Sequence, residues 1–190
     1  MKIYLVRHGE STGDIEDRYG GDYDDHLTQR GRAQAEVLAK ALADKGIETL
    51  FVSPRHRARE TGEIVGRLLD LKPVFLDDLR ERNAYGVVTG MVKSEARQQF
   101  PEVTTELSDP TATVAGAEPY PEFVNRVQTV LQQVVTGQEK VIAILTHGGV
   151  IKGFYRSVLK MGELAHLGDC AIVELGYKHG QWSVLKLPKN

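Results

Sequence analysis

The sequence predicts an α/β fold: a three-layer α/β/α sandwich with a mostly parallel central sheet and helices on both faces. Three observations carry this. Short apolar runs suited to strands buried on both faces recur along the chain, and segments with helical periodicity alternate with them. Two of these runs, Ile3 to Val6 and Val141 to Leu145, are closed by polar, glycine-containing clusters, as at the carboxyl ends of strands that border a ligand crevice.

Ile3-Tyr4-Leu5-Val6 is the first strand, followed by a polar stretch, 9–29, rich in Gly and Asp. Ala35, Leu38, Ala39 and Leu42 share one face of a helix over about 31–45 that stops at Gly46. Thr49-Leu50-Phe51-Val52 is the second strand. Ser53 as N-cap and Pro54 at the first helical position start the next helix, which runs to about Leu69. Val74-Phe75-Leu76 is a third short strand and 77–93 a charged, glycine-punctuated loop. A short helix is expected over 94–100, with mostly irregular chain from Pro101 to Pro121. Phe123, Val127, Val130, Leu131 and Val134 then mark a helix over about 120–135. After the fourth strand, Val141 to Leu145, a helix is expected over about 149–160. Two last strands, Ala171 to Leu175 and Trp182 to Leu187, are joined as a hairpin through Lys178-His179-Gly180.

At 190 residues the chain suits one domain, 1–190. A formal net charge of -2 and scattered Lys and Arg give no basic tract for a nucleic-acid backbone. One cysteine, Cys170, excludes an internal disulfide framework and a thiolate zinc cluster, and is expected in the core. The start of the chain lacks a signal-peptide pattern and no run approaches a membrane span, so a cytoplasmic protein with no membrane partner is expected. The exposed edge of the last hairpin would suit a homodimer.

The chemistry-bearing residues follow from this topology. If the first and fourth strands are parallel members of one sheet, His8 and His147 leave the same edge. Arg7 and Arg57, the latter in the first turn of the helix after the second strand, join them there. Two imidazoles, two guanidiniums and a helix amino terminus suit a phosphate dianion. Nearby positive charge lowers a histidine's pKa, so His8 would carry a free lone pair near neutral pH and could attack phosphorus without a base. Arg7, Arg57 and His147 would offset charge on the equatorial oxygens, a role magnesium fills elsewhere, so neither metal nor cofactor is expected. Glu81, in the loop after the third strand, is the best-placed acid to protonate the leaving alcohol. Substrate charge would raise its pKa toward the working range.

These residues resemble the histidine phosphatase superfamily, the group containing phosphoglycerate mutases. The matching segments are Leu5-Val6-Arg7-His8-Gly9-Glu10-Ser11, Leu27-Thr28 with Gly31 and Gln34-Ala35, Ser53-Pro54 with Arg57-Ala58 and Thr61, Leu79 with Glu81 and Gly86, and His147-Gly148-Gly149. They run in order over nearly the whole chain. The resemblance implies that His8 is the phosphorylated nucleophile, that Arg7, Arg57 and His147 hold the phosphate, and that Glu81 is the proton donor and later the base for water. The chain departs at Asp14, where many members carry Asn; a carboxylate cannot donate to a phosphate oxygen.

Within that resemblance the short interval between Glu81 and His147 favours a phosphatase of small phosphomonoesters over a mutase. Substrate contacts are expected from Ser11, Asp14, Gly20, Gly21, Arg82, Tyr85 and Gly148, with Arg18, Tyr19 and Asn83 near the leaving group. The acidic entrance argues against bisphosphates. Gly9-Glu10-Ser11-Thr12-Gly13 also fits the nucleophile elbow of serine hydrolases, but the acidic stretch after Ser11, ending in Gly20-Gly21, predicts no helix there. Cys170 has Gly176 where a cysteine-dependent phosphatase needs Arg. A phosphate-binding module without catalysis would fit the loss of a key residue, and none is lost. Asp22, Asp24 and Asp25 are expected in a solvated loop, and His26, His56, His166 and His179 at surface or packing positions.

Overall fold

The computed structural model describes residues 1–188; residues 189 and 190, the end of the expected domain, lie outside the described residues. One six-stranded sheet organises the chain. Its strands are β1 (Lys2–Arg7), β2 (Thr49–Val52), β3 (Val74–Phe75), β4 (Val141–Thr146), β5 (Ile172–Lys178) and β6 (Gln181–Lys186), in the order β3-β2-β4-β1-β5-β6. The first four are mutually parallel and the last hairpin is antiparallel. The helices are α1 (Thr12–Ile15), α2 (Gln29–Leu42), α3 (His56–Leu69), α4 (Lys93–Gln99), α5 (Pro101–Glu106), α6 (Tyr120–Val134) and α7 (Gly148–Gly153).

The period-two alternation of each strand divides the core into two layers. Ile3 and Leu5 of β1, with Ile142 and Ile144 of β4, pack on Phe123, Val127 and Leu131 of α6 and on Ile151 of α7. Tyr4, Val6, Ala143 and Leu145 point the other way, onto Leu38, Ala39 and Leu42 of α2 and Ala58 and Val65 of α3. With β1 and β4 buried on both faces, a one-residue slip of register would exchange the two apolar sets, so register is strongly specified.

Local chemistry fixes the ends. The Thr28 hydroxyl caps α2 by accepting from Gly31 N–H at 2.9 Å, and Gly46 leaves that segment at φ +66°. The β5–β6 turn puts both His179 and Gly180 at positive φ, as a tight hairpin turn requires.

Several elements differ from expectation. Helix α3 starts at His56 rather than Pro54, because the Ser53 hydroxyl is turned toward His147 while Asp24 accepts from His56 N–H at 2.7 Å. Pro101 opens helix α5 within a segment expected to be irregular; a proline loses nothing at the first helical position. A single helical turn, α1, follows Ser11. The helix expected over 149–160 is α7 followed by a wider turn, Phe154–Val158, in which Leu159 N–H reaches Phe154 O at 3.0 Å. Cys170 precedes β5, half-buried at φ +54°, and its N–H donates to His8 O at 3.1 Å. It belongs to a turn because the chain must reverse there before β5 can pair antiparallel with β1.

Candidate active site

The parallel pairing of β1 with β4 sets Arg7 opposite Thr146, so the next residues, His8 and His147, emerge side by side. His8 N–H donates to Thr146 O at 3.0 Å, and the two rings lie edge to face with centroids 5.1 Å apart. His8 lines a cleft of ≈ 410 Å³ that Arg7, Arg57 and Glu81 also line, and His147 is buried behind it.

His8 is buried and its Nδ1 lies 2.7 Å from Gly9 O. A carbonyl only accepts, so Nδ1 carries the proton and Nε2 the lone pair. Burial first, then the guanidinium charges of Arg57 and Arg7, push the imidazole from 6.5 down to about 3, which keeps it neutral. Arg57 Nε donates to His8 Nε2 at 3.2 Å and holds the ring edge in the cleft. Arg57 is itself braced by Tyr23 O, Gly21 O and the Asp25 carboxylate, the last at 2.7 Å. Thr61 Oγ1 donates to Arg57 O and accepts from Gly9 N–H, tying α3 to the glycine turn after β1.

His147 is fully buried and likewise held well below the ordinary histidine range, first by burial and then by the charge of Arg57. Its Nε2 is 2.7 Å from Ser53 Oγ, which accepts from Arg55 N–H at 3.4 Å. That contact holds the imidazole against the Ser53 hydroxyl, while Nδ1 is a buried atom with no partner among the described residues.

Both carboxylate oxygens of Glu81 accept main-chain N–H bonds, Oε1 from Arg82 and Oε2 from Gly149, each at 2.9 Å. A Cβ at position 149 would stand 2.3 Å from Glu81 Oε1, so only glycine lets α7 approach this closely. Arg7 donates to Leu167 O at 2.9 Å and to Asp14 Oδ1 at 3.2 Å, and its charge also faces Asp169 at 3.4 Å. Asp14 is the third residue of the turn opened by Ser11 and accepts from both Ser11 N–H and Ser11 Oγ. Burial alone would raise its pKa, but those hydrogen bonds and the Arg7 charge bring it below the ordinary range.

The model of the histidine phosphatase superfamily (branch 1) matches residues 3–190. The chain belongs to the histidine phosphatase superfamily. It is 28% identical over 164 residues to a probable 2-carboxy-D-arabinitol-1-phosphatase of Arabidopsis thaliana, covering 85% of this chain but only 34% of that protein, so it spans about a third of that relative's length. It is 33% identical over 160 residues to phosphoglycerate mutase-like protein 4 of the same plant, covering 81% of this chain and 69% of that one. Among solved structures, Bacillus stearothermophilus YhfR superposes with a TM-score of 0.87 at 27% identity, covering 97% and 95% of the two chains.

The remaining candidates of this histidine phosphatase domain are placed unevenly. Ser11, Asp14, Gly20, Gly21, Tyr85 and Gly148 line the cleft. Arg82 lines it too, yet its guanidinium is spent on Glu118 O, Pro110 O and Ala112 O and lies over the Tyr120 ring. Asn83 bonds Gly86 N–H, Thr89 Oγ1 and Gly116 O, and Tyr19 is buried with Val88 and Ala96 in a small separate core. These two residues brace the loops over the cleft. Arg18 lines the cleft and is paired with Glu16.

Only part of the acidic stretch is solvated. Asp22 and Asp24 are exposed, as expected, and pair with Arg55, whereas Asp25 is 4% exposed and paired with Arg57. Although α1 supplies the helical turn an elbow needs, Ser11 Oγ donates to Asp14 rather than to a histidine. The serine that does bond a histidine, Ser53, is completely buried. Ser53, Thr61 and Asp25 were missed as site residues. The Ser53-Pro54 and Thr61 positions in the family pattern were the available signal for two of them; Asp25 had none.

Proposed function

We propose that this protein is a phosphomonoesterase that works through a phosphohistidine at His8, on a small phosphorylated metabolite. The observation that carries the reading is the His8 tautomer: Nδ1 donates to Gly9 O, which leaves the Nε2 lone pair beside Arg57 in the cleft. The Nε2 lone pair attacks phosphorus as the bond to the ester oxygen breaks. Arg57, Arg7 and His147 take the charge on the phosphoryl oxygens. Glu81 is the acid that gives a proton to the departing alcohol. The resulting carboxylate takes a proton from water, whose oxygen attacks phosphorus and releases phosphate from Nε2. His8, neutral down to about pH 3, is ready to attack across the physiological range.

The reading includes a cytoplasmic location, supported by one cysteine in the chain and, among the described residues, no helix long and apolar enough to cross a membrane. A homodimer through the free edge of β6 is the assembly the sheet order favours. No resident metal or cofactor is part of the reading.

The test is hydrolysis of p-nitrophenyl phosphate by wild type and His8→Ala in EDTA, with alkaline-quench trapping of phosphohistidine. Turnover lost by more than about a thousandfold in the variant, with an acid-labile phosphoenzyme in wild type, is expected. Transfer of the phosphoryl group to glycerate in preference to water would make the protein a mutase. Undiminished turnover by His8→Ala would end the reading.

A further inference from the structure

Resting on that phosphatase reading, a second charge relation in the cleft identifies the class of leaving group. The cationic side chains that line the cleft are Arg7, Arg18, Arg57, Arg82, Lys93, Lys152 and Arg156. Arg7 faces Asp14 and Asp169, Arg18 pairs with Glu16, Arg57 with Asp25, Lys93 with Asp17 and Arg156 with Glu163. Arg82 has its donors in main-chain carbonyls. Among the described residues only Lys152 of this set makes neither an ion pair nor a side-chain hydrogen bond. It acts through space on Glu163, but that carboxylate is already held by two Arg156 nitrogens.

Position gives this unmatched charge its meaning. Lys152 lies three and four residues beyond Gly149 and Gly148 in α7 and its continuation, so it shares their face. Gly149 N–H holds Glu81 Oε2, the group assigned to protonate the leaving oxygen. The lysine therefore lines the cleft on the face of α7 whose Gly149 N–H holds Glu81, the acid that serves the leaving oxygen. Its chain is half-buried.

We infer that Lys152 is a specificity-determining residue that binds a carboxylate carried by the leaving group, making phosphorylated hydroxy acids the preferred substrates. A single ammonium balances one carboxylate charge as a compact point charge, whereas a second phosphate dianion would call for forked donors that the neighbouring arginines have already committed.

The test compares matched esters that differ in the carboxylate: 2-phosphoglycolate with ethyl phosphate, and 3-phosphoglycerate with glycerol 3-phosphate. Wild type should favour the carboxylated member of each pair in kcat/KM by about tenfold or more, the worth of one charge-assisted contact. Lys152→Met should bring the ratio close to one, and Lys152→Arg should keep it. A wild type without preference, or Lys152→Met with the preference intact, would overturn the inference. If no ester is hydrolysed, including p-nitrophenyl phosphate, the phosphatase reading has failed. The thermal shift then decides: a larger shift by 2-phosphoglycolate than by ethyl phosphate, abolished in Lys152→Met, supports the carboxylate site, and equal shifts overturn it.

Discussion

The floor and the roof of the cleft are built in different ways. The floor is strand-end chemistry: His8 and His147 are fixed by the β1–β4 register, with a buried apolar layer on either side of the sheet. The roof, residues 83–119 with α4 and α5, rests on a small core around Tyr19, Val88 and Ala96 and on the carbonyl cage of Arg82. The floor tolerates no rearrangement without breaking the sheet, while the roof hangs on a few polar contacts. Reaction chemistry thus sits on the rigid part, which through α7 also carries Lys152, and the enclosing loops form the adjustable part, the usual division between scaffold and loops.

Glu81 lies where the two regions meet and offers the largest effect. Glu81→Gln should slow esters with poor leaving groups by about 100- to 10,000-fold and p-nitrophenyl phosphate far less, because only the former need the proton. Equal losses in steady-state kcat/KM for both would remove Glu81 from the acid role and make the meeting point purely structural.

Arg82→Met tests the roof alone. Removing a buried guanidinium that satisfies several carbonyls should cost about 2–4 kcal/mol in urea unfolding. KM for natural esters should rise while phosphohistidine formation from p-nitrophenyl phosphate persists. Loss of phosphohistidine formation in a folded variant would show that floor and roof are one unit.

Acid tests the floor. Because the folded-state pKa of His8 lies below 6.5, the unfolded chain binds more protons between the two values. Stability from this group is complete above about pH 6.5 and is lost as pH falls toward 3, with a slope approaching about 1.4 kcal/mol per unit; His147 acts in the same direction. His8→Asn should flatten the melting temperature against pH in that window, and an unchanged slope would contradict the neutral, buried histidine.

The smallest effect concerns the anion already on the floor. Asp14 competes with phosphate for Arg7. Asp14→Asn should lower the inhibition constant of inorganic phosphate by about two- to tenfold at neutral pH, measured by competition against p-nitrophenyl phosphate. Weaker inhibition would mean that the carboxylate chiefly positions Arg7.

Much of the floor was legible because it depends on pattern. The fully apolar runs at 3–6 and 141–145, each ending in a histidine and glycine, imply parallel neighbours and hence adjacent histidines. The roof was less legible because its contacts are side chain to distant carbonyl, and no periodicity marks Arg82 as a brace or Pro101 as the start of a helix. Ser53 looked like a helix cap by local preference, and the partner that redirects its hydroxyl lies 94 residues away. Asp25 looked solvated for the same reason, since its burial depends on Arg57 arriving from α3.

By itself the sequence determined the layered α/β pattern, the succession of its strands along the chain and, given parallel pairing of the first and fourth, the edge at which the reactive side chains leave the sheet, because burial imposes periods of two and 3.6 on the chain. Only the tertiary structure decided which atoms of those side chains are free. The Arg57 contact to His8 Nε2, the Ser53 contact to His147, the matching of arginines such as Arg57 to their acids and the solitary charge of Lys152 all arise from short-range contacts between segments far apart in the chain. Hydrogen bonds and ion pairs act over a few ångströms, and those distances exist only once the sheet has closed.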